Sequence, residues 1–255
     1  MNDQQLIEHL ARRLEDDPSV LFVTGAGLSA DSGLPTYRGV GGLYDDAATP
    51  DGVPIEVALS GPMFRKDPDL TWKYIRQIEE ACRGAGPNRA HEVIAGLERK
   101  LSRVLTLTQN VDGLHRAAGS ENLIEIHGTV HELTCPFCGW RRRVPDYSGF
   151  RPGTPECDSC FSVIRPRVVL FGEMLPEDGI ARLYKELDKG FDLVFSVGTT
   201  SVFPYIAAPV HHVNRSGGLT VEINPGESEV SYDVTHRLRL GAADALGRLG
   251  TLVGV

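Results

Sequence analysis

The chain has 255 residues, of which 41% are hydrophobic and 24% charged, so it can bury a substantial core as one or two globular domains. Its formal net charge of −8 disfavours non-specific nucleic-acid binding through counterion release and leaves room for a basic partner. No apolar stretch approaches the roughly 20 residues that cross a bilayer, and the polar start Met1-Asn-Asp-Gln-Gln lacks the regions of a signal peptide, so we expect a cytoplasmic protein with no nucleic-acid or membrane partner.

Short aliphatic runs alternate with helical segments along the chain. This alternation is typical of a parallel sheet covered by helices on both faces, and we predict a Rossmann-like α/β fold. The predicted strands, in chain order, are Val20–Thr24, Val104–Thr108, Leu123–Ile126, Val168–Phe171, Leu193–Val197 and Leu219–Ile223. The predicted helices are Gln5–Leu14, Leu70–Arg83, Asn88–Leu101, Asp112–Ala118, Glu177–Leu187, Tyr205–Val213 and Ala243–Leu249.

The first predicted strand runs into a Gly-Ala-Gly turn and a polar helix start. In the G-x-G-x-x-G/A fingerprint, Gly25 permits a tight turn, Gly27 lets backbone amides approach a pyrophosphate, and Ala30 takes the third position. An isolated match is also compatible with an ordinary glycine-rich turn. Dehydrogenases carry an acidic residue about 20 positions after this turn, at the end of a second strand. In this chain the acidic pair near that distance, Asp45 and Asp46, follows no predicted strand. The pattern therefore predicts a dinucleotide site with a chemistry other than hydride transfer.

Polar side chains follow the second predicted strand directly, as Gln109, Asn110 and Asp112. They lie beyond the carboxyl end of a parallel strand, which is where open α/β sheets bind ligands. Helix capping by Asn110 or Asp112 is the simpler structural explanation. The sequence favours a ligand site here because the same arrangement recurs at other strands.

The third predicted strand is followed by His127 and a glycine. Histidine is the side chain best suited to exchange a proton near neutral pH, although a histidine before glycine also serves structural roles. Two later strands end in turns of small polar residues, at Val197–Ser201 and Glu222–Gly226. A row of such turns at one sheet edge predicts a long groove, and dinucleotides are long ligands.

Four of the five cysteines form two C-x-x-C pairs, Cys135/Cys138 and Cys157/Cys160. In a cytosolic chain two pairs at this separation are typical of a structural zinc site with four thiolate ligands. A redox-active pair is the alternative, and Cys82 in a predicted helix is expected to be a packing residue. The sequence therefore predicts one structural Zn²⁺.

Two insertions interrupt the alternating pattern, at 39–86 and 130–165. We expect them to form a smaller helical and zinc-ribbon domain. The remaining segments, 1–38, 87–129 and 166–255, would form a discontinuous dinucleotide-binding domain. Junctions between domains commonly bind ligands.

Several motifs occur in a characteristic order along the chain, namely Gly25–Arg38, Thr108–His115, His127-Gly128, the two cysteine pairs, Phe171–Pro176 and Gly198–Thr200. Together they closely resemble the sirtuins, over about Phe22 to Asn224. The resemblance implies NAD-dependent removal of acyl groups from protein lysines. Its products would be deacylated lysine, nicotinamide and O-acyl-ADP-ribose.

The resemblance also implies which residues bind NAD. Gln109 and Asn110 would contact the nicotinamide ribose, and Val111 and Asp112 would receive the carboxamide. Where most relatives have phenylalanine before the arginine, this chain has Tyr37, whose hydroxyl needs a partner. The full implied set is Gly25, Ala26, Gly27, Ser29, Tyr37, Arg38, Gln109, Asn110, Val111, Asp112, Gly198, Thr199, Asn224 and Ala242.

His127 and Asn110 are the implied catalytic residues. In the implied chemistry the acyl oxygen attacks the ribose carbon that nicotinamide leaves, giving an alkylimidate. His127 then acts as a general base and helps a ribose hydroxyl attack that intermediate. A neutral imidazole near its ordinary pKa can take a hydroxyl proton at neutral pH.

The acylated lysine side chain of a protein is the implied substrate. Val169 and Phe171 resemble the acyl-lysine tunnel, and Gly172 and Glu173 resemble the edge that pairs with the substrate backbone by strand addition. These four residues follow or end a predicted strand.

Acyl specificity is implied by a helix of the smaller domain. Relatives that remove succinyl or malonyl groups carry a tyrosine and an arginine three residues apart there, and these positions fall on Ile75 and Ile78; Tyr74 and Arg76 stand at a different spacing. An apolar helix face would leave an acidic acyl chain buried without a cation. We therefore expect a preference for acetyl groups.

Two other functions are compatible with parts of the sequence. The same activated ribose carbon could meet another nucleophile or water, giving mono-ADP-ribosyl transfer or NAD hydrolysis. The cysteine pairs and the basic run Arg141–Arg143 are features of zinc-ribbon nucleic-acid-binding modules, but the acidic net charge argues against that function.

Overall fold

The structure is a computed structural model that describes residues 1–35 and 49–255. Within these ranges the strands form a six-stranded and a three-stranded sheet. The strands are β1 (Val20–Thr24), β2 (Val104–Thr108), β3 (Leu123–Glu125), β4 (Gly128–Thr134), β5 (Arg141–Arg143), β6 (Arg165–Val168), β7 (Leu193–Val197), β8 (Leu219–Ile223) and β9 (His236–Leu238).

The helices of the described residues pack on these sheets. They are α1 (Asp3–Glu15), α2 (Ala26–Ala30), α3 (Ile55–Ala58), α4 (Gly61–Lys66), α5 (Pro68–Cys82), α6 (Arg89–Lys100), α7 (Leu114–Ala117), α8 (Glu177–Asp188), α9 (Pro204–Arg215) and α10 (Ala242–Val253). Across the described part of the chain, none of these helices combines the length and the apolar character that a bilayer span requires.

The large sheet has the strand order β3-β2-β1-β7-β8-β9, and all its neighbouring strands are parallel. Every residue of β1, β2 and β7 is buried, as expected for central strands with helices on both faces. From β1 the chain winds outward to β2 and β3, whereas β7 leads to β8 and β9 on the other side. The boundary between β1 and β7 is therefore the switch point where such sheets bind ligands, and the predicted Rossmann-like fold is confirmed.

Each face of the large sheet carries its own hydrophobic core. Alternate residues of β1 point to opposite faces, so Phe22 packs in a first core with α1, α6 and α10, while Leu21 and Val23 pack in a second core with α8 and α9. In the first core the rings of Phe22 and Phe195 stack with centroids 5.0 Å apart.

A third core lies beside the small sheet, in which β4 pairs antiparallel with both β5 and β6. It contains residues of α3 and α5, the cysteine turns and Leu170. The polar groups of its two large buried aromatic side chains both have hydrogen-bond partners. Trp72 Nε1 donates to the Ile164 carbonyl at 2.8 Å, and the Tyr147 hydroxyl donates to the Val130 carbonyl at 2.6 Å. This core is the predicted helical and zinc-ribbon part of the fold.

The prediction of Val168–Phe171 as a strand of the large sheet is wrong. The observed strand β6 ends at Val168, belongs to the small sheet and places Val168 opposite Gly128. Four consecutive apolar residues suggested a buried strand, but only Leu170 among them is buried. The segment follows the cysteine turns with no helical crossover, which a parallel strand would need.

The sixth strand of the large sheet is instead β9, which the hydrophobic pattern missed. It is a three-residue edge strand of sequence His-Arg-Leu, too short and polar to stand out. Arg237 of β9 forms an ion pair with the buried Glu222 of β8. The predicted helix Asp112–Ala118 is shortened to α7, because Gly113 has a left-handed φ of 76°. The remaining predicted elements are present, with ends shifted by a few residues.

Candidate functional site

The glycine turn after β1 packs directly against the turn after β7, at the switch point of the large sheet. The amide of Gly25 donates to the Val197 carbonyl at 3.1 Å, and that of Gly27 donates to the Gly198 carbonyl at 2.8 Å. A Cβ atom on Gly198 would lie 2.4 Å from the Leu28 nitrogen, and one on Gly27 would lie 2.8 Å from the Gly198 Cα. Only glycine allows the two backbones to approach this closely.

Asn110, Ser29 and Asp112 form one hydrogen-bonded network between the turn after β2 and α2. The side-chain Nδ2 of Asn110 donates to the Gly25 carbonyl and to Ser29 Oγ, each at 3.0 Å. Ser29 Oγ donates in turn to Asp112 Oδ2 at 2.7 Å. Residues predicted from two separate motifs are therefore in contact, and each orients the next.

The carboxyl group of Asp112 is partly buried, and this burial raises its pKa. The amide of Leu114, which donates to Asp112 Oδ1 at 2.9 Å, and the hydroxyl of Ser29 oppose this shift. A buried carboxylate gains free energy from a further hydrogen-bond donor. A carboxamide group, which has two N–H donors, is a suitable ligand for this position.

Thr199 links the turns after β2, β7 and β8. Its hydroxyl accepts from Gln109 Nε2 at 2.7 Å and from the Ser201 amide at 3.1 Å, and its carbonyl accepts from Asn224 Nδ2 at 3.1 Å. These contacts align polar groups of three strands along the carboxyl edge of the large sheet, as a long ligand requires.

Ala242 and Val111 are two further predicted cofactor residues. Ala242 is buried at the first turn of α10, where the next amide donates to Asp31 Oδ2 at 2.9 Å. The carbonyl of Val111 accepts from the Val130 amide at 3.0 Å. Tyr37 and Arg38 lie outside the described residues.

His127 lies between β3 and β4, and both ring nitrogens have a partner. Nδ1 is 3.1 Å from the carbonyl of Gln109, and because a carbonyl only accepts, Nδ1 carries the proton and Nε2 the lone pair. Burial lowers the pKa of His127, and the Gln109 carbonyl opposes this effect. The ring is therefore neutral at neutral pH, as a general base must be.

The partner of His127 Nε2 is the hydroxyl of Tyr205, at 2.7 Å. The rings of Phe203 and Tyr205 stack with centroids 5.5 Å apart, and each meets the imidazole edge to face at 6.0 Å. Sequence reasoning assigned neither aromatic residue to the site. The available signal was an aromatic pair directly after the polar turn of β7, at the edge where the other site residues lie.

The segment predicted to receive the peptide substrate runs beside His127. The amide of Val169 donates to the His127 carbonyl at 2.9 Å, and Phe171 exchanges backbone hydrogen bonds with residues 59 and 61. The residue Phe171 is 37% exposed, so it is available to a ligand. Gly172 follows it with a left-handed φ of 78°.

The carboxylate of Glu173 is directed inward. Arg165 donates to both its oxygens at 2.6 and 2.9 Å, and the Leu170 amide donates to it at 2.9 Å. Although burial acts in the opposite direction, these donors hold the pKa of Glu173 below its ordinary value. Because the side chain of Glu173 is engaged in these contacts, only the backbone of this residue is left to pair with a substrate.

Ile75 and Ile78 belong to the third core, together with Val168 and Leu170. Val169 and Phe171 flank Leu170 along the chain.

The two polar neighbours of these isoleucines are engaged elsewhere. Tyr74 donates to Asp51, and Arg76 donates to the carbonyls of Arg151 and Gly153, each at 2.8 Å.

The four paired cysteines come together as predicted. Their Sγ atoms all lie within 4.8 Å of one another, with Cys135 and Cys160 at 3.5 Å and Cys138 and Cys157 at 3.6 Å. Tetrahedral Zn–S bonds of about 2.3 Å place sulfur atoms about 3.8 Å apart, whereas a disulfide bond measures about 2.05 Å. The donor set and its spacing therefore fit a structural zinc ion at the edge of the third core.

A family model described as the Sir2 family matches residues 25–204, which include the glycine turn, His127 and the four cysteines. The chain belongs to the Sir2 family. The resemblance to sirtuins predicted from the sequence motifs is thereby confirmed, and the sirtuin fold accounts for both the parallel sheet and the four-cysteine cluster.

Individual relatives agree along nearly their whole length. The sirtuin is 51% identical over 241 residues to NAD-dependent protein deacylase 2 of Pseudomonas syringae pv. tomato, covering 94% of this chain and 97% of that protein. It is 35% identical to the solved structure of a Sir2 homologue in complex with NAD, with a TM-score of 0.86 and coverage of 100% and 94%. A Sir2 variant solved with a deacetylated p53 peptide and 3′-O-acetyl ADP ribose has 28% identity, a TM-score of 0.86 and coverage of 98% and 99%.

Proposed function

We propose that this sirtuin is an NAD-dependent protein-lysine deacylase, that acetyl-lysine is its main substrate, and that deacylated lysine, nicotinamide and O-acyl-ADP-ribose are its products. The observation that carries the proposal is the position of His127. Its neutral ring is held by the carbonyl of Gln109, the first residue of the turn that also carries Asn110 and Asp112. A general base is therefore fixed beside a polar network at the switch point of the large sheet.

The turns along the carboxyl edge of the large sheet fit a dinucleotide. NAD would lie across Gly25–Ser29, the polar turn after β2, Gly198-Thr199, Asn224 and Ala242, with Tyr37 and Arg38 as further predicted contacts. When bound, NAD supplies the ribose carbon to which the acyl oxygen is transferred. Asn110 and Ser29 orient the turn, Asp112 receives the carboxamide, and His127 takes a hydroxyl proton.

The proposed acetyl preference rests on where the nearby polar groups are directed. Arg76 is bound to two backbone carbonyls and stacks over Trp72, with its guanidinium carbon 5.6 Å from the ring centroid. A succinyl or malonyl carboxylate would therefore have to be desolvated without this cation. Ile75 and Ile78 stay predicted substrate residues, with Val169, Phe171, Gly172 and Glu173 as the proposed substrate edge.

Two further parts of the proposal concern organisation and location. We assign 1–38, 87–129 and 166–255 to the dinucleotide-binding domain and 39–86 and 130–165 to the domain with structural zinc, because the third core draws most of its residues from those two insertions. A cytoplasmic location agrees with four thiols arranged for metal binding rather than for disulfides.

The test is to incubate the protein with NAD and matched peptides carrying acetyl-, butyryl-, malonyl- or succinyl-lysine, and to identify the products by mass spectrometry. We expect free lysine and O-acetyl-ADP-ribose in equal amounts, and a higher kcat/KM for the acetyl than for the succinyl peptide. Equal or higher efficiency on the succinyl peptide would contradict the acetyl preference. ADP-ribose attached to protein, or free ADP-ribose without deacylation, would contradict the deacylase function.

A further inference from the structure

The lone pair of His127 that a general base needs is occupied in this protein. Nδ1 is protonated toward the Gln109 carbonyl, and Nε2 accepts a hydrogen bond from Tyr205 at 2.7 Å. An imidazole nitrogen has one lone pair, which lies in the plane of the ring. A hydroxyl group that approaches Nε2 must therefore either displace the Tyr205 hydroxyl or hydrogen-bond to it.

Several contacts hold Tyr205 where it is. It lies in the first turn of α9, its ring stacks on Phe203, and it packs against the second core. Displacing the hydroxyl would require this aromatic ring to leave both neighbours. Keeping it in place requires only that its oxygen accept one more hydrogen bond, for which a phenol has a free lone pair.

We propose that Tyr205 is a catalytic residue that relays the proton from the attacking ribose hydroxyl to His127. The inference rests on the proposed deacylase function, because the hydroxyl belongs to the ribose of the NAD-derived ADP-ribose. With this inference, the general base consists of two residues, Tyr205 and His127.

The relay balances protons and bonds in one step. The ribose oxygen forms a bond to the acyl carbon of the imidate while the π electrons of its C=N bond move to the lysine nitrogen. The proton of the ribose hydroxyl passes to Tyr205 Oη, and the original proton of Tyr205 passes to His127 Nε2. The imidazole becomes a cation, and Tyr205 stays neutral. When the bond from the acyl carbon to the lysine nitrogen breaks, the departing amine takes the proton from His127, which returns to its neutral form. A water molecule then adds to the cationic acyl carbon, and loss of a proton to solvent gives O-acyl-ADP-ribose.

The electrostatics of the phenol agree with a relay that never ionises. Burial raises the pKa of Tyr205 to about 12, so the hydroxyl keeps a proton to donate at neutral pH. A tyrosine with a strongly lowered pKa would instead be a base in its own right.

Tyr205→Phe is the discriminating variant, because it keeps the stacked ring and removes only the hydroxyl. Nicotinamide exchange reports the step before the base acts, and deacylation reports both steps. We expect the ratio of the exchange rate to the deacylation rate to rise at least about 10-fold, which is less than the about 10²–10⁴-fold that a whole general base contributes, because His127 remains in this variant. Tyr184→Phe, which alters a half-exposed tyrosine on α8, should leave both rates at the wild-type value.

Two further measurements test whether Tyr205 and His127 act as one unit. In the background of His127→Ala, the change Tyr205→Phe should lower deacylation no further, because interacting residues are non-additive. In the ligand-free protein, nitrogen NMR should show His127 protonated at Nδ1, and Tyr205→Phe should shift the Nε2 resonance whereas Tyr184→Phe should not.

The relay is overturned if Tyr205→Phe deacylates as fast as the wild type or faster, because the hydroxyl then only occupies Nε2. It is also overturned if exchange and deacylation fall equally, if the effects of the two substitutions multiply, or if the Nε2 resonance does not move. A wild-type protein that performs no NAD-dependent deacylation would overturn the proposed function itself, which is a different result from a fully active Tyr205→Phe variant.

Discussion

The large and the small sheet differ in how much apolar surface they bury. All residues of β1, β2 and β7 are buried between helices on two faces, whereas all three residues of β5 are exposed arginines. Burial of apolar area stabilises the large sheet, so its carboxyl edge can carry polar turns and close glycine contacts. The small sheet packs beside the third core, and the four-cysteine cluster lies at the edge of that core.

The largest expected effect follows from removing that cluster. Cys135→Ala, or chelation of zinc, should unfold the small sheet and the third core, because structural zinc contributes on the order of 10 kcal/mol to the folding of such sites. Metal analysis and circular dichroism against temperature measure this loss.

Cys82→Ala is the matched control, because Cys82 is a partly buried thiol outside the cluster. It should retain one zinc ion per chain. A Cys135→Ala protein that keeps its zinc and its melting temperature would contradict the role of the cluster.

His127→Ala should affect chemistry and leave the fold of the large sheet intact. We expect deacylation to fall by about 10²–10⁴-fold, the usual contribution of a general base, with NAD binding retained, because the cofactor turns do not depend on the imidazole. Single-turnover rates and calorimetric titration with NAD give the two values. Deacylation near the wild-type rate would show that another group is the base.

Gly198→Ala should damage the switch point of the large sheet. The new Cβ would meet the Leu28 nitrogen at 2.4 Å, and the φ of 58° is left-handed. We expect a loss of about 2–5 kcal/mol in the free energy of unfolding from strain and overpacking together, measured by urea denaturation.

Gly190→Ala separates these two causes. Gly190 is also left-handed, with a φ of 77°, but a Cβ added there would meet no atom within 4 Å. Only the backbone penalty of about 1–2 kcal/mol should remain. Equal losses in the two variants would mean that the contact between the turns after β1 and β7 contributes nothing.

Acid destabilisation is the most gradual of the expected effects, because it grows as the pH falls, and it acts at two histidines beside the first core of the large sheet. Burial lowers the pKa of His91 to about 4 and that of His115 to about 3, and the two rings meet edge to face at 5.0 Å. An unfolded histidine titrates near 6.5, so the unfolded state binds more protons as the pH falls from about 6.5 toward 4. The free energy of unfolding should therefore decrease over this window, by on the order of 2 kcal/mol per histidine at about pH 5.

Urea denaturation at several pH values measures this dependence. His91→Gln should reduce it, because glutamine does not titrate and only His115 then contributes, whereas His211→Gln, which alters a half-buried histidine, should not. A stability that is constant between about pH 6.5 and 4.5 would contradict the buried neutral histidines.

Local sequence patterns predicted the central features of this sirtuin. Short runs rich in aliphatic residues predicted β1, β2, β7 and β8 with their observed bounds, because parallel strands covered by helices on both faces are rich in such residues. The spacing within each cysteine pair predicted the four-thiol cluster, since the geometry of a zinc knuckle is local. The glycine spacing predicted the close turn at the switch point.

Only the tertiary structure decided which sheet a short strand joins and which distant side chains meet. The apolar run from Val168 lies next to the small sheet, and the polar β9 completes the large sheet. A strand pairs with whichever neighbouring strand the path of the chain brings beside it, and this path is a property of the whole fold. Arg76 and Glu173 are directed to partners that no local pattern specifies. The contact of Tyr205 with His127 joins residues 78 positions apart. It exists because the turns after β3 and β7 reach the same sheet edge. The order of the strands in the sheet determines this meeting, and the sequence of either segment alone does not.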